Sequence, residues 1–400
     1  MTTAIRPRRP PALASMIWIT IAIVGWTMIA WLAYRLFATQ PPTAGFDLEL
    51  LLRAGRDVAA GRSPYDPALV AGTAPDATGL FFSYPPVVAQ LLALFAAIPS
   101  GAMFVAWSIA AVAALVVVTE RLRAALGVHV SPAAAATAVV AVSSLTFPFV
   151  VAILFGNLDA FFPALYGLAL VGAVSALRRD QVAGGIGIAI GALTKLYPAG
   201  LGLWFAVRAI RGMRAHRIVL LTALISIAVL VVASLAVGGF EPWRTFASVV
   251  STTSRAELVD TRNVAPAAQL ALLVGADSAF TRSVHLGVAG LAVIGILWAA
   301  WAIRDEVESL AFAAAATLLL LPIAWVHYPA AMIPFGAAAA LRSRGGSNAT
   351  RVGWILAAAV LVAGASLAWL PLMWLAVGLC LAAVHLSAPR AISQPPATAT

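Results

Sequence analysis

Asp47, in Gly45-Phe46-Asp47-Leu48-Glu49-Leu50, and Lys195, in Thr194-Lys195-Leu196-Tyr197-Pro198, are isolated charges in a chain that is otherwise largely apolar. A lone carboxylate suits a general base, which accepts a hydroxyl proton as that oxygen attacks. Lys195 is the only lysine; the other 24 basic residues are arginines. An ammonium is a compact point charge of the kind that holds a phosphate. His327, in Trp325-Val326-His327-Tyr328-Pro329, brings an imidazole that can donate a hydrogen bond to such a phosphate or carry charge beside it. Gly156-Asn157-Leu158-Asp159, Arg262-Asn263 and Phe82-Ser83-Tyr84-Pro85-Pro86 are further polar interruptions of the apolar pattern.

Each residue also has a structural reading. Asp47 is a favoured helix N-cap for the segment 48–60, and one residue can cap and catalyse. Asp159 stands at the start of an apolar run, where capping is the simpler role and a pocket position stays open. Lys195 can snorkel to an interface, and His327 can sit in an aromatic belt. Glu49 lies two residues from Asp47, about 200° around a helix, so the two carboxylates do not share a face. Asp57 and Asp66 read as solvated or turn residues. Asp47, Asp159 and His327 are candidates to converge, but no local metal-binding spacing such as HExxH is present. Gly184-Gly185-Ile186-Gly187 follows no strand and reads as close helix packing.

The elements that must position these groups follow from composition. Of 400 residues 62% are hydrophobic and 10% charged, and the mean hydropathy is +0.98. This excludes a water-soluble globular protein. Rich in Ala, Gly and Leu without strand-like alternation, the chain is an all-α polytopic membrane protein rather than a barrel. Its single cysteine, Cys380, rules out an intrachain disulfide. Apolar helices are expected over residues 13–37, 101–119, 133–153, 158–177, 182–194, 197–210, 217–237, 284–303, 309–322, 328–341, 351–368 and 370–387, twelve in all. The stretch 86–98 is too short for a crossing and reads as re-entrant or interfacial. One membrane domain then covers residues 1–387, with outer loops at 38–100 and 238–283 and a disordered tail at 388–400.

Charge sets the orientation. One face collects sixteen basic residues, among them Arg6, Arg8, Arg9, Arg121, Arg208, Arg342 and Arg390, against five acidic ones; the other holds nine against ten. The positive-inside rule makes the first face cytoplasmic, together with both termini. The first helix is an uncleaved anchor, since its apolar run exceeds a signal-peptide core. The net charge of +10 therefore needs no nucleic-acid partner. In this arrangement Asp47, Asn157, Asp159, Lys195, Arg262, Asn263, Trp325 and His327 all reach the outer face, and scattered structural polar residues have no reason to do so. Glu241, Trp243, Glu257 and Asp260 are weaker candidates for an acceptor side in the second outer loop.

Taken in order, Phe46-Asp47-Leu48, Leu51-Leu52-Arg53-Ala54-Gly55, Gly61, Tyr65-Asp66, Phe82-Ser83-Tyr84-Pro85-Pro86, Phe155-Gly156-Asn157, Lys195-Leu196-Tyr197-Pro198, Asn263 and Leu321-Pro322-Ile323-Ala324-Trp325-Val326-His327-Tyr328 resemble glycosyltransferase family 87 over about residues 45–335. The family includes actinobacterial polyprenol-phosphate-mannose-dependent α-1,2-mannosyltransferases that extend phosphatidylinositol mannosides and lipoarabinomannan. The resemblance implies a GT-C fold of about twelve membrane helices with juxtamembrane helices in the first outer loop. It implies inverting mannosyl transfer from a polyprenyl phosphate donor to a hydroxyl of a glycolipid or lipoglycan acceptor, at the outer face of the plasma membrane, with no cofactor and no required metal. By position Asp47 matches the catalytic aspartate, Lys195 the lysine of a Lys-Leu-Thr-Pro motif and His327 a histidine of a Ser-Pro-Ile-Ser-Trp-x-His-His motif.

On this basis Lys195, His327 and Arg262 are expected at the donor phosphate, and Tyr84, Asn157, Asp159, Asn263, Trp325 and Tyr328 around the substrates. The chain departs from the family where Gly-Gln-x-Asn is usual and Gly156-Asn157-Leu158-Asp159 stands, where Tyr328 replaces a second histidine, where Leu321 and Ala324 replace serines, and where Asn263-Val264-Ala265 replaces Asn-Gln-Ser. The departures bear on the acceptor and on the sugar, for which arabinofuranose and glucose are alternatives. Two rival classes are a lipid or solute transporter, which would more often show internal repeats and helices interrupted at the midplane, and a non-catalytic scaffold, which leaves the one-sided polar set unexplained.

Overall fold

The computed structural model describes residues 12–39, 44–72, 81–256, 258–344 and 346–389. Arg6, Arg8, Arg9, Glu257, Arg390 and the tail from residue 390 lie outside the described residues. Among those described, the regular structure is helical, in keeping with an all-α membrane protein.

Four helices are long and apolar enough to cross a membrane: α1 (Ala12–Phe37), α5 (Ser100–Ala125), α11 (Arg214–Gly238) and α14 (Ser278–Ala302). The expected span 133–153 is instead two helices, α6 (Pro132–Leu145) and α7 (Phe147–Phe155), bent by 79°. Pro148 in the first turn of α7 has no N–H for a continued ladder, and its ring would clash with the turn before it. Thr146, at the junction, is extended. Counted as one span, this bent pair raises the number of candidates to five.

Shorter helices complete the bundle: α8 (Phe162–Val174), α9 (Arg178–Lys195), α10 (Ala199–Ile210), α15 (Glu306–Thr317), α16 (Ile333–Ser343), α17 (Ala349–Ala365) and α18 (Leu372–Ser387). Each of the twelve expected segments thus contains helix. The stretch that begins at Pro86 forms α4 (Pro86–Ala93), eight residues or about 12 Å, far short of a bilayer core.

The packing explains the glycines. A Cβ on Gly184 would lie 2.9 Å from the Leu168 carbonyl oxygen of α8, and one on Gly185 would lie 2.5 Å from the Val219 carbonyl oxygen of α11. Helix α9 is therefore clamped between two neighbours at backbone contact, as small residues permit in membrane bundles. Around it Phe162, Tyr166, Tyr197, Trp204, Phe205, Ile296, Leu310 and Phe335 form the largest core cluster.

The segment expected as the first outer loop, 38–100, builds α2 (Phe46–Ala59) and the single turn α3 (Pro67–Val70). Leu48, Leu51, Leu52 and Gly55 of α2 are buried, an i, i+3, i+4, i+7 stripe. Gly55 lets α2 cross α4, where a Cβ would meet the Leu92 carbonyl carbon at 2.7 Å. The segment 238–283 is not simply a loop: it holds α12 (Glu241–Ala256) and α13 (Pro266–Val274). Helix α12 places Phe246 and Val249 against Tyr65, Leu69 and Phe82.

One set of ion pairs lies at the end of the bundle remote from Lys195. Arg121 meets Asp180 at 2.8 Å, Arg342 meets Asp305 at 2.6 Å, and His216 meets Glu306 at 3.2 Å. Asp180 and Lys195 are fifteen residues apart on α9, about 22 Å along its axis.

Candidate functional site

Two glycines bring Asp47 to its place. Gly45, at φ 69°, precedes α2 and donates its N–H to the Leu154 carbonyl of α7 at 2.8 Å. Gly156, at φ 66°, ends α7, and a Cβ there would lie 2.6 Å from the Leu48 Cβ. The first turn of α2 is thus fixed against the end of α7.

Asp47 is the second residue of α2 and does not cap it: the preceding position is Gly45 and no side chain caps the helix. The capping reading of Asp47 is therefore replaced by a tertiary one. Its Oδ2 accepts a hydrogen bond from Asn157 Nδ2 at 2.6 Å. Burial pushes the Asp47 carboxyl above the usual carboxylate range and Asp159 adds to this, while His327, the Asn157 hydrogen bond and Lys195 pull the other way.

Asn157 is the capping residue that Asp159 was expected to be. Its Oδ1 accepts from the Asp159 N–H at 2.9 Å, opening the 3-10 turn Leu158–Phe161. The Asp159 side chain is left to turn inward, where it is fully buried. Lys195 Nζ lies 2.6 Å from its Oδ2, His327 Nε2 lies 3.0 Å from the same oxygen, and the Tyr197 hydroxyl donates to Oδ1 at 3.3 Å. A buried carboxylate is tolerable only when paired and hydrogen-bonded in this way.

Lys195 ends α9 beneath aromatic faces. Its Nζ is 4.5 Å from the Tyr328 ring centroid and 5.6 Å from that of Tyr84, and 3.5 Å from the Tyr328 hydroxyl. Burial raises the Tyr84 phenol far above its ordinary value.

The chain turns immediately after the lysine. Leu196, at φ 58° and ψ −48°, is the one positive-φ non-glycine residue among those described, and Tyr197 N–H donates to Lys195 O at 2.6 Å. This is the strained, positive-φ form of the γ-turn. It points both Lys195 and Tyr197 at Asp159, and strain of this kind concentrates at functional sites.

His327 precedes the 3-10 turn Tyr328–Met332 and is buried. Neither ring nitrogen makes a well-formed hydrogen bond to another described residue, despite the short approach of Nε2 to Asp159. An imidazole in this state has donor capacity to offer a ligand.

Three further expected site residues have partners of their own. Arg262 is held by Asp260, with Nε 3.0 Å from Oδ1 and Nη2 2.6 Å from Oδ2, and its guanidinium lies 5.6 Å from the Trp325 ring centroid. It faces Trp325 and Asp260, and the pairing holds the Asp260 carboxyl below the usual range. Asn263 is fully buried and structural: Nδ2 donates to Pro322 O at 3.0 Å, and Oδ1 accepts from Ala324 N at 2.9 Å and Ala265 N at 3.0 Å. It braces the segment carrying Arg262 to the segment carrying Trp325 and His327. Trp325 itself is half-buried beneath Arg262.

Of the weaker candidates, Glu241 pairs with Arg244 at 2.8 Å on the exposed side of α12, and Trp243 anchors that helix through Ser234 at 3.1 Å. Glu49 is used by Arg56 and Ser100, and Asp66 caps α3 through Ala68 N–H at 2.8 Å. Tyr197 was not singled out by sequence, although the Lys-Leu-Tyr-Pro motif contains it; it stacks between Phe162 at 5.4 Å and Tyr328 at 5.2 Å. Among the described residues no group of three or more His, Cys, Asp or Glu is arranged to hold a metal ion.

A polytopic helical bundle with a carboxylate beside the buried Lys195–Asp159–His327 cluster at one end defines a membrane protein with a candidate polar-headgroup site. The chain matches the family model of glycosyltransferase family 87 over residues 81–329, more than half its length, and belongs to that family: it is a glycosyltransferase. The matched region takes in Tyr84, Asn157, Asp159, Lys195, Arg262, Asn263, Trp325, His327 and Tyr328, while Asp47 lies ahead of it. A search of curated proteins finds no match.

Proposed function

We propose that the protein transfers a mannosyl residue from a polyprenyl phosphate donor to a hydroxyl of a glycolipid or lipoglycan acceptor, with inversion at the anomeric carbon. The observation that carries this reading is the placement of Asp47, oriented by Asn157, beside the Lys195–Asp159–His327 cluster. A base thus stands next to cationic groups suited to a phosphate.

In the proposed step Asp47 takes the proton of the acceptor hydroxyl, whose oxygen bonds to the anomeric carbon. The bond from that carbon to the phosphate oxygen breaks, and its electron pair stays on the phosphate. A phosphate is already a leaving group, so the step asks for charge stabilisation and needs neither an acid nor a metal. Lys195 and His327 supply that stabilisation in a site screened from water by Tyr84, Tyr197 and Tyr328. A general base is worth about 10²–10⁴ in rate.

The polyprenyl tail can remain in lipid while its headgroup enters the end of the bundle. We place that end outside the plasma membrane and both termini in the cytoplasm. The ion-paired arginines at the opposite end support this orientation.

The test is transfer of radiolabel from polyprenyl phosphate mannose to a membrane lipid extract, comparing the native enzyme with Asp47→Asn at matched expression. Product formed by the native enzyme alone supports donor and base together. Absence of product with this donor, but transfer from a polyprenyl phosphate carrying arabinofuranose or glucose, would replace the sugar and keep the site. Transfer from no donor would return the transporter reading.

A further inference from the structure

Lys195 and His327 both lie against one buried acid. Lys195 Nζ and His327 Nε2 converge on the same Asp159 oxygen at 2.6 Å and 3.0 Å, and the Asp159 side chain is excluded from solvent. Water cannot screen that carboxylate, so its charge is felt by anything the cations hold. The pair supplies at most two positive charges, and one is already neutralised.

We propose that Asp159 is a fixed counter-charge that matches the Lys195–His327 pair to a singly charged phosphodiester and weakens its hold on the doubly charged phosphomonoester left after transfer. The inference rests on the function proposed above. Before the step Asp47 and the phosphodiester each carry one negative charge. The acceptor proton passes to Asp47 and the electron pair of the broken carbon–oxygen bond passes to the phosphate, so the base becomes neutral and the phosphate gains a charge. The total is unchanged during the chemistry. It rises only when Asp47 gives its proton to solvent, and then four negative charges, two on the phosphate and one each on Asp47 and Asp159, face Lys195 and His327 where three did before. Resetting the base thus expels the product, with Asp159 supplying the repulsion that an uncompensated cation pair would lack.

The experiment measures, in one preparation, the inhibition constant of polyprenyl phosphate and the KM of the polyprenyl phosphate sugar donor, for the native enzyme, Asp159→Asn and Asp159→Glu. The ratio is independent of the fraction of folded protein. For Asp159→Asn we expect product inhibition to tighten relative to donor KM by about tenfold or more, the scale of a removed like-charge contact, with kcat lowered by slow release. Asp159→Glu should keep the native ratio. An unchanged ratio in Asp159→Asn, or a parallel rise of both constants, overturns the proposal and leaves Asp159 as a positioning residue for Lys195.

Should the variants not fold, the native enzyme decides alone. At pH 8, where a phosphomonoester is doubly charged, polyprenyl phosphate must bind more weakly than its singly charged monomethyl ester. Equal or tighter binding overturns the proposal. Failure of the native enzyme to use any polyprenyl phosphate sugar would instead sink the proposed function, which separates the two readings.

Discussion

Asn157 holds Asp47 by one oxygen only: its Nδ2 donates to Oδ2 at 2.6 Å, and among the described residues no side chain or backbone group donates to Oδ1. The oxygen left over is the one placed to receive a proton. The same Asn157 caps the turn that carries Asp159, so the base and the buried counter-charge are set by a single amide.

Asp47→Asn is expected to remove transfer activity by about 10²-fold or more and to raise the melting temperature at neutral pH. Burial raises the folded-state pKa of Asp47 above its unfolded value, so its contribution to stability is fully present below the unfolded pKa and is lost as pH rises through the folded one. The neutral amide avoids that loss. Thermal unfolding in detergent across pH should show the variant's advantage at pH 7 and its disappearance in acid. Native activity should fall on its acid side at a pH above the ordinary carboxylate range.

Gly156→Ala tests the seat of α2. The left-handed backbone costs a non-glycine residue about 1–2 kcal/mol, and the new Cβ must displace Leu48 from a 2.6 Å approach, adding about 1–3 kcal/mol of overpacking. A lowered melting temperature and a fall in kcat beyond the loss of folded protein are expected. Native kcat per folded molecule would show that α2 tolerates displacement.

Leu196→Gly separates strain from positioning. Leu196 is exposed, so little burial is lost, and relief of about 1–3 kcal/mol of backbone strain outweighs a glycine entropy cost of about 0.5–1 kcal/mol. The variant should be about 1 kcal/mol more stable by denaturant unfolding, yet slower, because Lys195 and Tyr197 are no longer forced toward Asp159. Greater stability with undiminished kcat would mean that the turn has no part in catalysis.

Asn263→Ala and Arg262→Gln should differ in kind. The first leaves buried backbone N–H groups of Ala265 and Ala324 without an acceptor and is expected to cost about 2 kcal/mol or more of stability. The second removes a pair of which only the guanidinium side is exposed, and should leave donor KM at its native value. A donor KM raised as strongly by Arg262→Gln as by Lys195→Met would return Arg262 to the phosphate.

Much of this architecture is legible in the sequence because apolar segments and polar interruptions carry strong signals. The twelve apolar segments contain helix, and Asp47, Asn157, Asp159, Lys195, His327 and Tyr328 meet at one end, as their placement in the segments implies. The bend at Pro148 is less legible because proline is tolerated in a first turn as readily as it breaks a helix. Helix α12 hides its amphipathic pattern, Trp243, Phe246, Val249 and Val250, among polar residues of the kind that also make loops.

The roles of Asn157 and Asp159 were exchangeable on paper. Either can cap, and which one does is settled by the tertiary pull of Lys195 and His327 on the acid. No residue type announces the Leu196 turn, since leucine gives no hint of positive φ. Asn263 read as a site residue because buried backbone partners 59 and 61 residues away leave no trace in local sequence.

The lysine of this cluster is the only one in the chain, and its side chain is 7% exposed. Apart from the N-terminus, then, the protein offers one amine to a chemical reagent, and that amine is locked against Asp159. Read at Lys195 alone, an amine-selective label is consequently a clock for a single event. Its rate of incorporation counts how often the Lys195–Asp159 contact opens, molecule by molecule, without a substrate and without an assay of transfer.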